Sequence, residues 1–208
     1  MHYYIIGYGG FAKEVELYVK DNDKSNKVTF VVENKNRLCN LSNVIQENDF
    51  LSINQKVFCL IAIGNNKIRK KIFNKLNKRK NIVFCNFIHK SVCYDSLNLE
   101  LGIGNIICPN CILTSNIKIK NFTHINLNTT VGHDTKIGSF VTISPGTNIS
   151  GNVIIKNNCF LGTNSSIIEK IKLKKNTVLG AGSVLLKNVE ESGTYVGIPA
   201  KIVKKNTL

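Results

Sequence analysis

The first candidate for chemistry is a histidine beside a carboxylate. His133 and Asp134 follow Gly132, and none of the three other histidines has a comparable neighbour. A neutral imidazole can accept a proton at physiological pH, and an adjacent carboxylate can orient it and stabilise the imidazolium. His133 is therefore a candidate general base. From these residues alone, an exposed histidine in a turn remains the simpler interpretation.

The second candidate is a glycine-rich loop near the N-terminus. The run Gly7-Tyr8-Gly9-Gly10-Phe11-Ala12 fits the pattern G-x-G-x-x-G/A, which joins a strand to a helix in nucleotide-binding proteins. Its glycines permit a tight turn and a close approach of phosphate, and the N–H groups at the helix start attract an anion. Glu33, at the end of the next predicted strand, is placed to meet a ribose or a base. A glycine turn that serves only packing is the alternative.

A second loop has the same relation to the predicted sheet. The residues Ile63-Gly64-Asn65-Asn66, followed by Arg69, end another apolar run. In a parallel sheet this loop would lie beside the first, at the carboxyl ends of the strands, where ligands bind. Gly64, Asn65 and Arg69 are therefore expected to complete a diphosphate site. A surface arginine on a basic helix is the alternative account of Arg69.

These loops belong to a region in which apolar strands alternate with amphipathic helices. The sequence predicts strands at Tyr3–Ile6, Val28–Val32 and Val57–Ile63, and helices at Phe11–Lys20 and Lys67–Leu76. This alternation is typical of a parallel α/β sheet. About 90 residues supply only one half of a dinucleotide fold, so a mononucleotide is favoured over NAD.

His133 lies in a different kind of region, a repeat of six residues. Three such hexads would close one triangular coil of a parallel β-helix, with the aliphatic residue inward and the next residue, often Gly, at the corner. About five coils are expected. Every sixth residue is aliphatic, without exception: Leu101, Ile107, Leu113, Ile119, Ile125, Val131, Ile137, Ile143, Ile149, Ile155, Leu161, Ile167, Leu173, Leu179 and Leu185.

The repeat also bears on the seven cysteines, an odd number that cannot form a complete disulfide framework. Cys108 and Cys111 have the spacing of a redox or zinc pair, but no second pair accompanies them. Cys111 and Cys159 fall on a small, inward-facing position of the hexad, where free cysteine behaves as a small hydrophobe. We therefore expect packing and no metal site.

Composition sets the class of the protein and its partners. The 208 residues are 43% hydrophobic and 20% charged, which allows a sizeable core. The formal charge of +15 favours nucleic acid, a membrane surface or a phosphate-rich ligand, with a functionless lysine bias as the alternative. Neither a membrane span of about 18 apolar residues nor a signal peptide is evident, so a cytoplasmic protein is expected.

Together these features resemble bacterial sugar O- and N-acetyltransferases, in which a small nucleotide-binding domain precedes a left-handed β-helix of hexapeptide repeats. The resemblance covers essentially the whole chain, through Ile6–Val15, Ala62–Arg69, Asn126–Gly138, Leu179–Ser183 and Tyr195–Lys201. It implies an α/β, Rossmann-like nucleotide-sugar-binding domain over residues 1–92 and an all-β, left-handed parallel β-helix over residues 93–208. It also implies a homotrimer with each active site between two chains.

The resemblance assigns roles to individual residues. His133 is implied as the general base with Asp134 beside it, Asn126 as a residue that holds the sugar, and Gly151 as the donor of an N–H to the thioester oxygen. Nucleotide-sugar contacts are implied for Gly7, Tyr8, Gly9, Gly10, Glu33, Gly64, Asn65 and Arg69. Acetyl-CoA contacts are implied for Gly151, Gly162, Thr163, Ala181, Gly182, Pro199 and Lys201.

Three positions depart from the pattern of the family. Its glutamate before the base is here Gly132, and its second histidine, nine residues after the base, is Thr142. Many relatives also have histidine where this chain has Phe11. Asp134 is then the carboxylate left to assist His133.

The resulting hypothesis is an acetyl-CoA-dependent N-acetyltransferase. It acts on the amino group of a dTDP- or UDP-linked 4-amino-4,6-dideoxysugar for a surface glycan such as the lipopolysaccharide O-antigen. A sugar O-acetyltransferase of the sialic acid type is the nearest alternative, and a non-catalytic nucleotide-sugar-binding module is a more distant one. The charge is then matched to two polyanionic ligands, and neither nucleic acid nor a membrane is expected as a partner. The β-helix has few aromatic residues of the kind that interleave with a basic stripe in nucleic-acid binders.

Overall fold

The computed structural model describes residues 1–34 and 41–205. The chain divides into two compact units, Met1–Phe87 and Ile88–Leu208. Within the described residues, no helix has the length and apolar character needed to cross a membrane.

The first unit is a five-stranded parallel sheet with three helices. Its strands have the order β3-β2-β1-β4-β5, and every pairing is parallel. Each predicted element is present within one or two residues of its predicted ends, whereas the short β3, α2 and β5 were not predicted. The elements are β1 (His2–Ile6), α1 (Gly10–Asn22), β2 (Lys27–Val32), β3 (Val44–Gln46), α2 (Glu47–Ser52), β4 (Val57–Ile61), α3 (Asn66–Leu76) and β5 (Ile82–Phe84).

The strand order places the two predicted loops side by side. The chain leaves β1 toward β2 and β3 on one side, then continues at β4 on the other, so the order reverses between β1 and β4. Ile6, the last residue of β1, pairs with Ile61, the last residue of β4. Ligands of open α/β sheets bind at the carboxyl ends of strands at such a reversal. The predicted adjacency of the two loops is confirmed.

The second unit is a parallel β-helix of three sheets. The first sheet contains β7 (Cys93–Tyr94), β10 (Ile112–Leu113), β13 (Thr130–Val131), β16 (Asn148–Ile149), β19 (Ser166–Ile167) and β22 (Val184–Leu185). The second contains β8 (Leu99–Leu101), β11 (Ile117–Ile119), β14 (Lys136–Ile137), β17 (Ile154–Ile155) and β20 (Lys172–Leu173). The third contains β6 (Phe87–Ile88), β9 (Ile106–Ile107), β12 (His124–Ile125), β15 (Thr142–Ile143), β18 (Phe160–Leu161), β21 (Val178–Leu179), β23 (Gly193–Gly197) and β24 (Ala200–Lys205).

The predicted hexad is confirmed as the inward-facing position. Ile107, Ile125, Ile143 and Leu161 are all fully buried, and pairs such as Ile125 with Ile143 stack eighteen positions apart. The other hexad aliphatics belong to, or pack against, the same hydrophobic cluster. A single column of aliphatic contacts therefore runs along each sheet, and burial of this kind is the main source of stability in a solenoid.

The corners differ from the expectation. The backbone adopts a positive φ three residues after each hexad aliphatic from Leu101 to Leu179, as at Asn116 (φ 55°) and Asp134 (φ 60°), and not at the glycine directly after it. Asn and Asp tolerate this left-handed conformation better than other side chains. Glycine directly after the aliphatic has a steric reason instead: a β-carbon at Gly132 would lie 2.5 Å from the backbone nitrogen of Gly151 in the next coil.

The first coil of the β-helix has an irregular spacing. The second unit begins at Ile88, whereas the sequence analysis placed the boundary after residue 92. Ile112 pairs with Cys93, nineteen positions earlier, and Ile117 pairs with Leu99, eighteen positions earlier. One additional residue between Cys93 and Leu99 thus interrupts the hexad phase. The coil before Leu101 is present, but its aliphatic residues are out of step with the later ones.

The small position of the hexad is buried, and the polar side chains there bond internally at several coils. The Thr147 hydroxyl donates to the carbonyl oxygen of Ser144 over 2.8 Å, and the Cys111 thiol donates to that of Asn126 over 3.0 Å. Burial raises the pKa of Cys111 to about 11. Cys108 is also fully buried. Both thiols are thus enclosed, which agrees with the packing interpretation.

Candidate active site

The β-helix presents His133 and Asp134 at a corner between its first and second sheets. They follow β13, and the left-handed backbone at Asp134 turns its side chain back toward the histidine. His133 Nδ1 lies 2.7 Å from Asp134 Oδ2, and 66% of the histidine side chain is exposed. An ionised carboxylate can only accept a hydrogen bond, so Nδ1 carries the proton. Nε2 then keeps its lone pair and is the atom able to accept a proton.

Asn116 is a partner that the sequence analysis missed. Its side-chain amide donates to Asp134 Oδ1 over 2.6 Å. The pKa of Asp134 is held below its ordinary value by the hydrogen bond with His133 first, then by the bond from Asn116, with a smaller contribution from Lys136. Asp134 is therefore ionised at neutral pH. Asn116 stands eighteen positions before Asp134, and this spacing was the available signal.

Gly151 lies under the imidazole, in the next coil. A β-carbon at residue 151 would be 2.6 Å from His133 Nε2 and 2.8 Å from Cε1. Only glycine therefore leaves room for the ring in this position. The Gly151 N–H has no hydrogen-bond partner among the described residues. Nε2 and an unoccupied N–H donor thus occur at one corner, which we call the imidazole corner (Asn116, His133, Asp134 and Gly151).

Four of the residues implied in acetyl-CoA binding, together with Asn126, which is implied in holding the sugar, occupy a different corner. Asn126, Gly162, Thr163, Ala181 and Gly182 follow β12, β18 and β21 of the third sheet and precede strands of the first. We call them the glycine corner. A β-carbon at Gly162 would lie 2.5 Å from the Ala181 nitrogen, so successive coils approach closely there. One chain therefore does not bring Asn126 beside His133. Asn126 instead bonds locally, accepting from the Leu127 N–H over 2.8 Å.

Pro199 and Lys201 belong to the hairpin that ends the described chain. Pro199 lies between β23 and β24, and Lys201 pairs with Val196 across the hairpin. Both side chains are exposed. The hairpin joins the third sheet, whose strands lead into the glycine corner.

The two departures within the β-helix have definite locations. Thr142 is buried on the third sheet, where it pairs with His124 and Phe160, away from the imidazole corner. Gly132 has no room for a side chain because the backbone of Gly151 lies against it. Among the described residues, Asp134 is the carboxylate paired with His133.

In the first unit, a cavity of about 430 Å³ opens at the carboxyl ends of β1, β2 and β4. It contains three of the predicted nucleotide-contacting residues, Gly7, Tyr8 and Glu33. The Tyr8 ring is fixed edge-on against Phe30, with ring centres 5.0 Å apart. The lining as a whole combines apolar walls with four charged side chains. The full set is Ile6, Gly7, Tyr8, Val31, Val32, Glu33, Glu47, Ile63, Ile68, Lys71, Ile72 and Lys75.

The two helix starts at this edge differ in their capping. No side chain caps α1, whose N-cap is Gly9, and β-carbons at Gly9 and Gly10 would meet nothing within 4 Å. The start of α3 is closed, because Asn65 Oδ1 accepts from the N–H groups of Lys67 and Ile68 over 3.0 and 3.1 Å. An uncapped helix start binds anions. Phosphate therefore suits the α1 end, and Asn65 is used for capping.

Arg69 corrects the prediction of a diphosphate contact. It is completely buried, and its guanidinium donates to the carbonyl oxygens of Ile63 over 2.6 Å and Gly64 over 3.2 Å. Burial lowers its pKa to about 9, so it stays charged at neutral pH. Arg69 therefore holds the second loop from inside, and neither the phosphate role nor the surface-arginine alternative applies.

Lysines on the opposite side of α3 supply the positive charge instead. Lys71 and Lys75 line the cavity together with Ile68 and Ile72, at the i, i+3, i+4 and i+7 spacing of one helix face. Lys75 also forms an ion pair with Glu47, which raises the pKa of Lys75. This helical spacing was a signal that the sequence analysis did not use.

Comparison with known proteins adds to this geometry. Residues 3–76 match the family described as the PglD N-terminal domain. WeeI from Acinetobacter baumannii AYE is 30% identical with a TM-score of 0.87, over 98% of this chain and 100% of WeeI. PerB from Caulobacter crescentus, solved with CoA and GDP-perosamine, is 24% identical with a TM-score of 0.87 over 97% of each chain. The acetyltransferase domain of PglB from Neisseria gonorrhoeae FA1090, solved with acetyl coenzyme A, is 24% identical with a TM-score of 0.87 over 97% of this chain and 98% of that domain. These likenesses confirm the predicted fold class, an α/β domain followed by a left-handed parallel β-helix.

Proposed function

The chain belongs to the bacterial sugar acetyltransferases that join a PglD-type N-terminal domain to a left-handed β-helix, and from that premise we propose its reaction. It transfers the acetyl group of acetyl-CoA to the amino group of a nucleotide-linked 4-amino-4,6-dideoxysugar. The observation that carries the proposal is the His133–Asp134 pair, with the imidazole of His133 lying over Gly151. The ligands solved with PerB and PglB, an amino-sugar nucleotide with CoA and acetyl coenzyme A, support this acceptor and this donor.

His133 is the general base of the proposed reaction. The acceptor nitrogen attacks the thioester carbonyl carbon, so that a C–N bond forms and the C–S bond breaks. Nε2 takes the proton that the amine loses and returns it to the departing CoA thiolate, which leaves the imidazole neutral. Asp134 stabilises the imidazolium formed in between. Base catalysis of this kind contributes about 10²- to 10⁴-fold in rate.

Gly151 supplies the electrostatic component. Its N–H has no partner in the part of the chain that the structure describes, and in the proposed complex it donates to the thioester oxygen as negative charge develops there. A single fixed donor of this kind is worth about 10²- to 10³-fold in rate. An alanine at this position would keep the N–H but would push against the imidazole.

The first unit binds the nucleotide part of the acceptor. The uncapped start of α1 suits the diphosphate, and the apolar walls of the cavity suit a base. Glu33 can accept from a ribose hydroxyl or a base N–H, while Lys71 adds positive charge. We propose dTDP or UDP as the nucleotide. This arrangement favours a nucleotide-linked acceptor over a free sugar.

A homotrimer would complete the active site. The imidazole corner and the glycine corner lie at different corners of one coil, so a reaction that uses both needs the glycine corner of a second chain. The proposed trimer has three such sites. Mixing subunits of His133→Ala with subunits of Gly162→Leu should then restore part of the activity that each variant lacks, because some sites receive both intact corners. No recovery, with mixed trimers demonstrated by mass spectrometry, would contradict shared sites.

The remaining acetyl-CoA contacts follow from the same arrangement. We propose that Gly162, Thr163, Ala181 and Gly182 line the pantetheine arm, and that the hairpin with Pro199 and Lys201 closes over CoA. The reaction takes place in the cytoplasm, where acetyl-CoA is available. Its product serves a surface glycan such as the lipopolysaccharide O-antigen.

A panel of acceptors tests the function. The protein is incubated with acetyl-CoA and with UDP-, dTDP- and GDP-linked 4-amino-4,6-dideoxysugars, and release of the CoA thiol is followed with a thiol reagent. We expect turnover with an amino sugar, lost by a factor of about 10² to 10⁴ in His133→Ala. His2→Ala, an exposed histidine on β1, is the matched control. Turnover with a hydroxyl acceptor such as sialic acid, and with no amino sugar, would overturn N-acetylation in favour of O-acetylation.

A further inference from the structure

We propose that Asn116 is a positioning residue for the general base, an inference that rests on the proposed role of His133. The side-chain amide of Asn116 donates to Asp134 Oδ1 over 2.6 Å, while Oδ2 of the same carboxylate lies 2.7 Å from His133 Nδ1. Each carboxylate oxygen thus has one partner. Asn116 holds the plane of the carboxylate, and the carboxylate holds the imidazole.

The carboxylate needs such a restraint because the pair is open to solvent. The side chains of His133 and Asp134 are 66% and 42% exposed. Exposed ion pairs are weak, since water competes for both partners and side-chain rotation is entropically favoured. Rotation of the carboxylate about its Cβ–Cγ bond would break the contact with Nδ1. A hydrogen bond to the second oxygen opposes that rotation.

The fold delivers Asn116 to this place through its repeat. Asn116 and Asp134 occupy the same position of successive coils, and both have the left-handed backbone, with φ of 55° and 60°. Their side chains therefore leave the corner in the same direction and meet. Asn158 and Asn176 show the same arrangement at another corner, where the Asn158 amide donates to Asn176 Oδ1 over 3.2 Å. At the imidazole corner, the Asn116 amide donates instead to the carboxylate of Asp134, and that carboxylate contacts His133.

A consequence concerns the tautomer of His133. With the carboxylate fixed, the neutral imidazole is held as the Nδ1–H form, and Nε2 is the free base over Gly151. With the carboxylate released, both tautomers are populated in water. In the Nε2–H form the atom facing Gly151 carries a proton and cannot accept another.

The first experiment is ¹⁵N NMR of the histidine rings in the full chain without substrates, with His133 assigned by comparison with His133→Ala. A protonated and an unprotonated ring nitrogen have well separated ¹⁵N resonances. We expect wild-type protein above neutral pH to show His133 with an unprotonated Nε2. Asn116→Gly, which keeps the left-handed backbone but removes the amide, should show averaging of the two ring nitrogens. Asn158→Gly is the matched control, with the same φ class and the same kind of amide bond, and should leave His133 unchanged.

The second experiment is a double-mutant cycle between Asn116 and Asp134. It measures kcat/KM with acetyl-CoA and with the amino-sugar nucleotide that proves to be a substrate in the panel of acceptors. Asn116→Gly should lower kcat/KM roughly fivefold, the amount that one hydrogen bond is worth. In an Asp134→Gly background, Asn116→Gly should cost nothing further.

The outcomes separate the two proposals. Unchanged ring resonances in Asn116→Gly, or an equal loss of kcat/KM with and without Asp134, would overturn the positioning role while leaving His133 as the base. Wild-type activity in His133→Ala would overturn the proposed function instead. In that case the NMR comparison would still decide whether Asn116 orients the pair.

Discussion

Replacing Gly151 with alanine would place a methyl group directly against the imidazole of His133. The new β-carbon would lie 2.6 Å from Nε2, 2.8 Å from Cε1 and 3.0 Å from Cδ2. Ordinary contact between such atoms begins near 3.4 Å, so the ring must retreat by about 0.8 Å from its position. The ring can do so, because it is exposed and bordered by solvent. The substitution thus displaces the base without removing any catalytic group.

The expected loss follows from that displacement. A misplacement of about 1 Å costs roughly 10²-fold in rate, so Gly151→Ala should lower kcat about 50-fold, or about 2.3 kcal/mol in activation free energy. Folding should not suffer. Gly151 does not need a positive φ, and alanine at such a glycine raises stability by about 0.4 to 1 kcal/mol through the unfolded chain.

The assay combines thiol release from acetyl-CoA with thermal unfolding. The melting temperature of Gly151→Ala should equal or exceed that of the wild type while kcat falls. In a His133→Ala background the methyl group has no ring to displace, so Gly151→Ala should cost little further. A wild-type kcat in the single variant would refute the placement of His133 Nε2 over Gly151. An equal loss in both backgrounds would show that the methyl group acts on something other than the imidazole.

Three further substitutions and one chemical modification test the described packing. Arg69→Met should destabilise the protein by roughly 3 kcal/mol in urea unfolding, because the carbonyl groups of Ile63 and Gly64 lose their charged donor; unchanged stability would contradict a structural arginine. Ser165→Ala should stabilise the protein by about 1 kcal/mol and so raise its melting temperature, because the buried hydroxyl of Ser165 lacks a partner among the described residues. Thr147→Val, which loses a 2.8 Å hydrogen bond, should lower the stability by a similar amount. At pH 8 a thiol reagent followed by peptide mapping should label the exposed Cys93 and spare Cys111, whose pKa of about 11 keeps it protonated; labelling of native Cys111 would contradict its burial.

The architecture of the chain could be predicted because it repeats. Residues such as Ile107, Ile125 and Ile143 recur at one phase, and periodic burial of an aliphatic is sufficient to define a β-helix. The corners were less accessible. Glycine at position 132 suggested a turn, whereas the structure shows that it avoids a steric clash with Gly151. Only the stacking distance between coils distinguishes these two explanations.

Part of the candidate site could also be predicted from the spacing of residues along the chain. His133 and Asp134 are adjacent in sequence, so their pairing could be inferred directly. Asn116 could have been found by counting one coil back from Asp134, once the eighteen-residue pairing is known. Arg69 was misassigned because the sequence analysis considered its charge but not the face of the helix on which it lies. It shares the buried face of α3 with Leu76, seven residues later, and that spacing argues against a solvent-exposed role.

The eighteen-residue register restricts where this chain can change in length. Asn116, the pair His133–Asp134 and Gly151 come from three successive coils, so a one-residue insertion between Asn116 and Gly151 would move one partner out of the column. The irregular pairings lie outside this window. Cys93 pairs with a residue nineteen positions later, and Val178 pairs with Thr194, sixteen positions later. Insertions and deletions are therefore tolerable at the two ends of the β-helix, while the segment between them can be lengthened only by whole coils.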